Sequence, residues 1–169
     1  MEGSPIRLVC FQLRHQAFGC PIESVRETLR VRPMTRVFLT PSWLVGIFSL
    51  RGEIVPAIDL GPWLGMRRAT VTDESRLVVL RQSQPGASAL VLGLLVDRLD
   101  ELSVLDTAEL CPPPPSLTRE QLALVRGVHT TERSTLRVLD PAAIFAADAL
   151  RSLSRPADPG RAAAPSPKP

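Results

Sequence analysis

The sequence contains no tyrosine and few other aromatic residues, which together account for 4% of the chain. Because hydrophobic residues make up 44%, we expect a packed core built from leucine, valine and isoleucine. The 169 residues suffice for one domain, or for two small subdomains that share a core. No stretch reaches the roughly 18 uninterrupted apolar residues that a membrane-spanning helix needs. The N-terminus also lacks the basic and apolar regions of a secretory signal, so we expect a cytoplasmic protein.

Residues suited to metal binding and catalysis are equally sparse. The three cysteines form no CxxC motif, and the two histidines are far apart in sequence, so we predict no metal site. Cys10 and Cys20 could face each other across a hairpin, but buried free thiols are the expected state in a reducing cytoplasm. The sequence has no GxSxG, P-loop, GxGxxG or HExxH motif. We therefore predict that the chain is not an enzyme and holds no cofactor.

The formal net charge of +3 does not indicate a nucleic-acid-binding protein. The end of the chain contributes Arg155, Arg161 and Lys168 but only one acid, Asp158. The remaining body is close to neutral, whereas binding to a phosphate backbone needs a basic face. The composition of residues 154–169, rich in proline and alanine, predicts a disordered tail.

The most informative stretch is a predicted β-hairpin. Two apolar runs, 44–50 and 54–60, are separated by Arg51-Gly52, the kind of short glycine-containing turn that joins antiparallel strands. An arginine at the tip of a hairpin cannot serve the core, so Arg51 must be solvated, paired with a carboxylate or presented to a partner. Pro56 lies inside the second strand and predicts an edge strand or a bulge there.

The remaining pattern predicts a mainly β protein, a barrel or sandwich with short helices. The segment 22–30 has the pattern of a short helical turn that runs into a strand. Asp140 should cap a C-terminal helix over 142–153. Gly93 is a single glycine in an apolar strand and indicates a close backbone approach or a bulge. Further strands are expected at 7–14, 17–21, 76–81, 89–96, 99–105, 125–130 and 135–139.

Three carboxylates need an interpretation. Asp59 and Asp97 each end an apolar run, so we expect them to cap the turns that follow, with a contact to a partner as the alternative. Glu27 belongs to a group of charged residues spaced three and four apart, which is typical of a solvated helix face. The alternative is that Glu27 pairs with Arg51, because a carboxylate that binds a guanidinium group fixes its orientation.

Several segments, in their order along the chain, resemble the CheW family of bacterial chemotaxis coupling proteins. The first are an opening strand with the pattern FxL and the segment GCPIESVRETLR. The segments TPSWLVGIFSLRGEIVPAIDLGPWLG and VLGLLVDRLDEL follow, and a last region runs from CPPPP through VRGV to LRVLD. The resemblance covers roughly residues 6–150. The spacing LRG-x-x-x-P-x-x-DL is its most specific part, and it falls on Leu50, Arg51, Gly52, Pro56, Asp59 and Leu60.

The resemblance implies two small five-stranded β-barrels of the SH3-like or OB-like kind, packed around a shared apolar core, with a C-terminal helix. The CheW-like domain would span residues 6–153. Proteins of this family are non-enzymatic adaptors that connect the cytoplasmic tip of a chemoreceptor to the regulatory domain of a CheA-type histidine kinase. A diverged paralogue that binds a receptor without the kinase, in another chemosensory or motility pathway, is the alternative within the family.

The resemblance also assigns roles to individual residues. The receptor would bind in the groove between the barrels, with Val25, Glu27, Arg51 and Gly52 as coupling residues, and Glu27 paired with Arg51. The kinase contact would use apolar surface at the ends of the barrels. Ser49 replaces the family's usual asparagine before LRG. The residues that match the structural motif are Gly46, Pro56, Asp59, Gly93 and Asp97.

Overall fold

Two β-sheets form the body of the protein. The computed structural model describes residues 3–154, apart from the side chains at positions 84, 87 and 152–154. The six-stranded sheet contains β1 (Pro5–Leu13), β2 (Gln16–Pro21), β8 (Arg98–Leu99), β9 (Ser103–Asp106), β10 (Val125–Thr130) and β11 (Thr135–Leu139). Its order is β10-β11-β2-β1-β8, and β9 also pairs with β1. The short strands β8 and β9 therefore share one side of β1.

The five-stranded sheet contains β3 (Val25–Arg30), β4 (Leu44–Leu50), β5 (Glu53–Ile58), β6 (Arg76–Gln84) and β7 (Ala87–Val96). Its order is β3-β6-β7-β5-β4, so β3 and β4 are the edge strands. An isolated bridge partly joins the two edges, because Thr35 N donates to Ile47 O and Ile47 N donates to Thr35 O, both at 2.9 Å. Pro33 lies between β3 and this bridge, and it has no N–H to extend the ladder.

The expected fold class is confirmed, with two corrections. The sheets are not closed barrels, since in each the strand order has two ends and only isolated bridges extend it. One sheet also has six strands and not five, because two short strands occupy the place of one long strand beside β1.

The described part also contains three short α-helices: α1 (Arg119–Leu124), α2 (Pro141–Ala146) and α3 (Asp148–Ser154). Asp140 caps α2 as expected, and its Oδ1 accepts from Ala142 N at 3.0 Å. The single helix predicted over 142–153 is wrong, because Ala147, with a ψ of 133°, leaves the helical conformation and separates α2 from α3. The segment 22–30 forms the expected turn, a 3-10 turn at Ile22–Ser24 that leads into β3.

Side chains from both sheets meet in one apolar cluster. Phe11 and Leu13 of β1 are at most 1% exposed and belong to the same cluster as Leu80 and Leu94 of β6 and β7. This shared core is mainly aliphatic, as the composition predicted. None of the helices in the described range is long and apolar enough to cross a membrane. The predicted tail lies outside the described residues, except for Ser154, which ends α3.

Candidate functional site

The turn between β4 and β5 consists of Arg51 and Gly52, with φ values of +51° and +84°. Positive φ at both central residues is the geometry that matches the twist of a two-residue hairpin. Gly52 adopts it without strain, whereas Arg51 has a Cβ and pays a cost for it. The Arg51 side chain is 68% exposed. The turn therefore places a guanidinium group in solvent at the tip of the hairpin.

Glu27 on β3 binds this guanidinium group, with Arg51 Nη2 at 3.3 Å from Glu27 Oε2. Glu27 also lies 3.8 Å from Arg26 Nε, and Arg26 Nη1 donates to Glu53 Oε2 at 2.7 Å. The four side chains form a line of alternating charges between one edge strand and the hairpin tip. Arg51 is the most exposed member, so it is the one best placed to meet another molecule.

A β-bulge separates Val25 from Glu27. Val25 pairs with Leu80, but Glu27 pairs with Val79, so Arg26 is the extra residue. In a regular strand residues two apart point to the same face, and a bulge breaks that rule. Val25 can therefore pack against the shared core while Glu27 reaches Arg51. The structure thus brings Val25, Glu27, Arg51 and Gly52 to neighbouring positions on β3 and the hairpin.

At two glycines of the predicted structural motif, neighbouring atoms leave too little room for a side chain. A Cβ on Gly46 would lie 2.8 Å from Thr35 O, the oxygen that forms the bridge between the sheet edges. A Cβ on Gly93 would lie 3.0 Å from Phe48 Cε1 in the core. Gly46 thus allows a close approach of the main chain, whereas Gly93, for which a close backbone approach or a bulge was predicted, leaves room for the side-chain ring of Phe48.

At Pro56 the sequence predicted an edge strand or a bulge, and the structure shows neither. The strand β5 lies between β7 and β4, and the register shift in the β4–β5 ladder is on β4, between Leu44 and Gly46. The ladder between β5 and β7, however, pairs only Ala57 and Ile58. At Pro56 only β4 is paired with β5, so the missing N–H leaves no gap in a continuous ladder.

Asp59 and Asp97 meet through a residue that the sequence reasoning missed. Asp59 caps the following segment as expected, since its Oδ1 accepts from Gly61 N at 3.0 Å and its Oδ2 from Ala69 N at 2.6 Å. It is also paired with Arg14 Nη2, and Arg14 Nη1 lies 3.2 Å from Asp97 Oδ1. The only signal in the sequence was that a carboxylate at the end of a buried strand needs a partner.

The cysteines do not form a reactive or metal-binding centre. Cys10 pairs with Gly19 and Cys20 with Val9, so the two thiols are offset by one residue and do not face each other. Burial, the larger cause, and the charge of Asp100 raise the pKa of Cys10 to about 11. Burial raises the pKa of Cys20 to about 12. In the part of the chain that the structure describes, no group of three or more histidine, cysteine, aspartate or glutamate side chains could hold a metal ion.

A second exposed feature, which we term the apolar loop, consists of Val37, Phe38 and Leu39. Their exposed fractions are 41%, 94% and 105%. Leu39 has a φ of +58°, and Thr40 Oγ1 donates to Val37 O at 2.8 Å across the turn. A fully exposed Phe-Leu pair on a strained turn is unusual for a surface that meets only water. The sequence reasoning did not single out these residues.

Comparisons with known proteins agree on one family. A profile of the CheW-like domain matches residues 7–149. The chemotaxis protein CheW of Treponema pallidum (strain Nichols) is 28% identical over 158 residues, which cover 91% of this chain and 90% of the relative. Protein FrzA of Myxococcus xanthus is 31% identical over 105 residues, covering 62% of each chain. The crystal structure of the scaffolding protein TtCheW from Thermoanaerobacter tengcongensis superimposes with a TM-score of 0.72 at 28% identity, covering 86% of this chain and 91% of that one.

Proposed function

Because the chain belongs to the family of CheW-like domains, which are non-enzymatic adaptors and scaffolds, we propose that it couples the cytoplasmic tip of a chemoreceptor to the regulatory domain of a CheA-type histidine kinase. In this proposal the protein works in the cytoplasm, as part of a receptor array. Signal control comes from the assembly and not from chemistry within this chain. The coupling residues are Val25, Glu27, Arg51 and Gly52.

The observation that carries the proposal is the ion pair between Glu27 and Arg51 at the hairpin tip. Glu27 is 25% exposed and contacts one terminal nitrogen of the guanidinium group. Arg51 is 68% exposed, which leaves other N–H groups of the guanidinium free to meet a carboxylate or a carbonyl of a partner. An arginine held in one orientation loses less side-chain entropy on binding than a freely rotating one.

The apolar loop supports a separate contact with the kinase. Phe38 and Leu39 are not used by the core, and they project from the connection between β3 and β4. Burial of two large apolar side chains in a partner gives a favourable free energy of several kcal/mol, at roughly 1.5–3 kcal/mol for each. We assign this loop to the kinase because the family resemblance places that contact on apolar surface, and Phe38 and Leu39 are the most exposed large apolar side chains among the described residues.

A second candidate function is a paralogue that binds a receptor without the kinase and tunes another chemosensory or motility pathway. This candidate is supported by the similarity to protein FrzA, a relative whose name is not CheW. It shares the receptor site with the first proposal, so the two differ only in whether the apolar loop meets a kinase.

The test is a pull-down from a lysate of the organism that encodes the chain, with captured proteins identified by mass spectrometry. Wild-type protein is compared with Arg51→Ala, with a variant in which Phe38 is replaced by Ser, and with Arg133→Ala. Arg133 is a matched control, because it is an exposed arginine in the turn between β10 and β11.

The coupling proposal expects a chemoreceptor and a histidine kinase from the wild type and from Arg133→Ala. It expects less receptor with Arg51→Ala and less kinase with Phe38→Ser. Receptor without kinase from the wild type would favour the paralogue. Recovery of neither partner would contradict both candidates.

A further inference from the structure

The turn between β1 and β2 has a strained backbone, because its two residues have positive φ and neither is glycine. It consists of Arg14 and His15, with φ values of +49° and +65°. Two-residue hairpin turns of this geometry favour Asn-Gly or Gly-Gly, because longer side chains disfavour positive φ. Backbone strain of this kind persists only where surrounding contacts hold it.

The contacts that hold it are made by Arg14 itself. Its side chain is only 7% exposed, and it reaches both Asp59 and Asp97, with Nη1 at 3.2 Å from Asp97 Oδ1. Arg14 Nε donates to Arg67 O at 2.9 Å. The main-chain N–H of Arg14 donates to the other oxygen of Asp97. Because one carboxylate binds both the main chain and the side chain of Arg14, the turn conformation and the ion pairs depend on each other.

These contacts cross from one sheet to the other. Arg14 belongs to the hairpin of the six-stranded sheet, whereas Asp59 directly follows β5 of the five-stranded sheet. Asp97 lies between β7 and β8, where the chain passes from the five-stranded to the six-stranded sheet. The partners of Arg14 are 45 and 83 residues away in sequence, so no local folding preference brings them together.

Asp59 extends the connection further. It is 2% exposed, and it holds the segment after β5 through Gly61 N and Ala69 N. A buried carboxylate without its cation would carry a large desolvation cost. Among the described residues, Arg14 is therefore the cation that pairs with both Asp59 at the end of β5 and Asp97 at the exit of β7, and its Nε also binds the main-chain oxygen of Arg67.

We propose that Arg14 is a latch, a positioning residue that fixes the placement of the five-stranded sheet against the six-stranded sheet at this end of the molecule. The strained turn is retained because it aims the guanidinium group at both aspartates. Release of the latch lets the two sheets shift relative to each other while each keeps its own strand pairing. This inference concerns the free protein and does not depend on the partners proposed above.

Distances between pairs of spin labels, measured by double electron–electron resonance, test the latch. The background carries Cys111→Ser, because Cys111 is the exposed thiol and would react with the label. One pair spans the sheets, with labels at the exposed positions 83 and 132, and a control pair at 49 and 83 lies within the five-stranded sheet. The variants are Arg14→Gln and Arg14→Lys, with Arg133→Gln as the control arginine.

The latch predicts one narrow distance distribution between the sheets in the wild type and in Arg133→Gln. Arg14→Gln should broaden or shift this distribution and leave the pair within the sheet unchanged, and Arg14→Lys should restore part of the wild-type distribution. An unchanged distance between the sheets in folded Arg14→Gln would overturn the proposal. Equal broadening of both pairs would also overturn it, because it would indicate general loosening.

Arg14→Gln removes the cation from buried Asp59 and could prevent folding. Asp97→Asn is the second variant for that case, because it weakens one arm of the latch and keeps the pair between Arg14 and Asp59. Asp97→Asn should broaden the distribution of distances between the sheets, though less than Arg14→Gln does. A wild-type distribution in Asp97→Asn would show that Arg14 contributes only to stability.

Discussion

Replacement of Arg51 by alanine should reduce receptor binding while the fold keeps nearly all of its stability. The side chain is 68% exposed, and its pair with Glu27 at 3.3 Å is a surface ion pair. Such pairs contribute about 0.2–1 kcal/mol to the free energy of unfolding. A protein of this size loses roughly 2–4 °C in Tm for each kcal/mol, so the Tm of Arg51→Ala should fall by no more than about 4 °C.

The expected effect on binding is larger. Loss of one partner from a buried, hydrogen-bonded charge pair in an interface costs about 2–5 kcal/mol. The lower figure corresponds to a roughly 30-fold increase in Kd. The assay is isothermal titration calorimetry of the purified chain with a helical fragment from the tip of the cognate chemoreceptor. Arg133→Ala, the exposed arginine of the other hairpin, should leave the Kd unchanged.

Glu27→Gln separates orientation from charge, because it keeps the arginine but removes its anchor. Its effect on Kd should be smaller than that of Arg51→Ala, and the double variant should be less than additive, since the two residues act together. A fall in Tm of more than 10 °C for Arg51→Ala would show that the residue is structural. A Kd within twofold of the wild type, with a fragment that binds the wild type, would refute the assigned role.

Four further predictions concern the fold. Gly46→Ala should lower the free energy of unfolding by about 1–3 kcal/mol in urea denaturation, because its Cβ would meet a main-chain oxygen at 2.8 Å; an unchanged midpoint would contradict this. Leu39→Asn should raise the stability by about 1 kcal/mol, since asparagine tolerates the φ of +58°, and a loss of stability would show that the loop is not strained. At pH 8 a thiol reagent should modify exposed Cys111 quickly and leave Cys10 and Cys20 unmodified until the protein unfolds. The Tm should also fall as the pH rises from about 9 towards 11. Burial raises the pKa of Cys10 to about 11 and that of Cys20 to about 12, so these thiols ionise at lower pH in the unfolded chain than in the folded one. A Tm that stays constant over this range would contradict the prediction.

Local patterns predicted much of the secondary structure. The first strand of the hairpin was predicted over 44–50 and is β4, and the turn is at Arg51 and Gly52. The second strand was predicted over 54–60, whereas β5 runs from Glu53 to Ile58. The end was wrong because Leu60 is a buried apolar residue outside any strand, and hydrophobicity alone does not separate the two cases. The break at Ala147 was missed for a related reason, since alanine favours a helix and gives no stop signal.

The candidate site was only partly predictable. The residues alone left two interpretations of Glu27 open, a solvated helix face or a pair with Arg51, and the resemblance to the CheW family favoured the pair. The structure places Glu27 on a strand, 3.3 Å from Arg51. The exposure of Phe38 and Leu39 could not be predicted, because an apolar pair in a sequence is normally assigned to the core.

The sequence by itself determined the elements whose causes are local: the apolar runs of the strands, the glycine-containing turn, the cap at Asp140 and the order of motifs that identifies the family. Only the tertiary structure decided which distant residues meet. Arg14 binds Asp59 and Asp97 because the two sheets pack around one core, and Glu27 reaches Arg51 because a bulge turns its side chain towards the hairpin. Such contacts depend on the relative placement of strands far apart in the chain, which no local spacing of residues encodes.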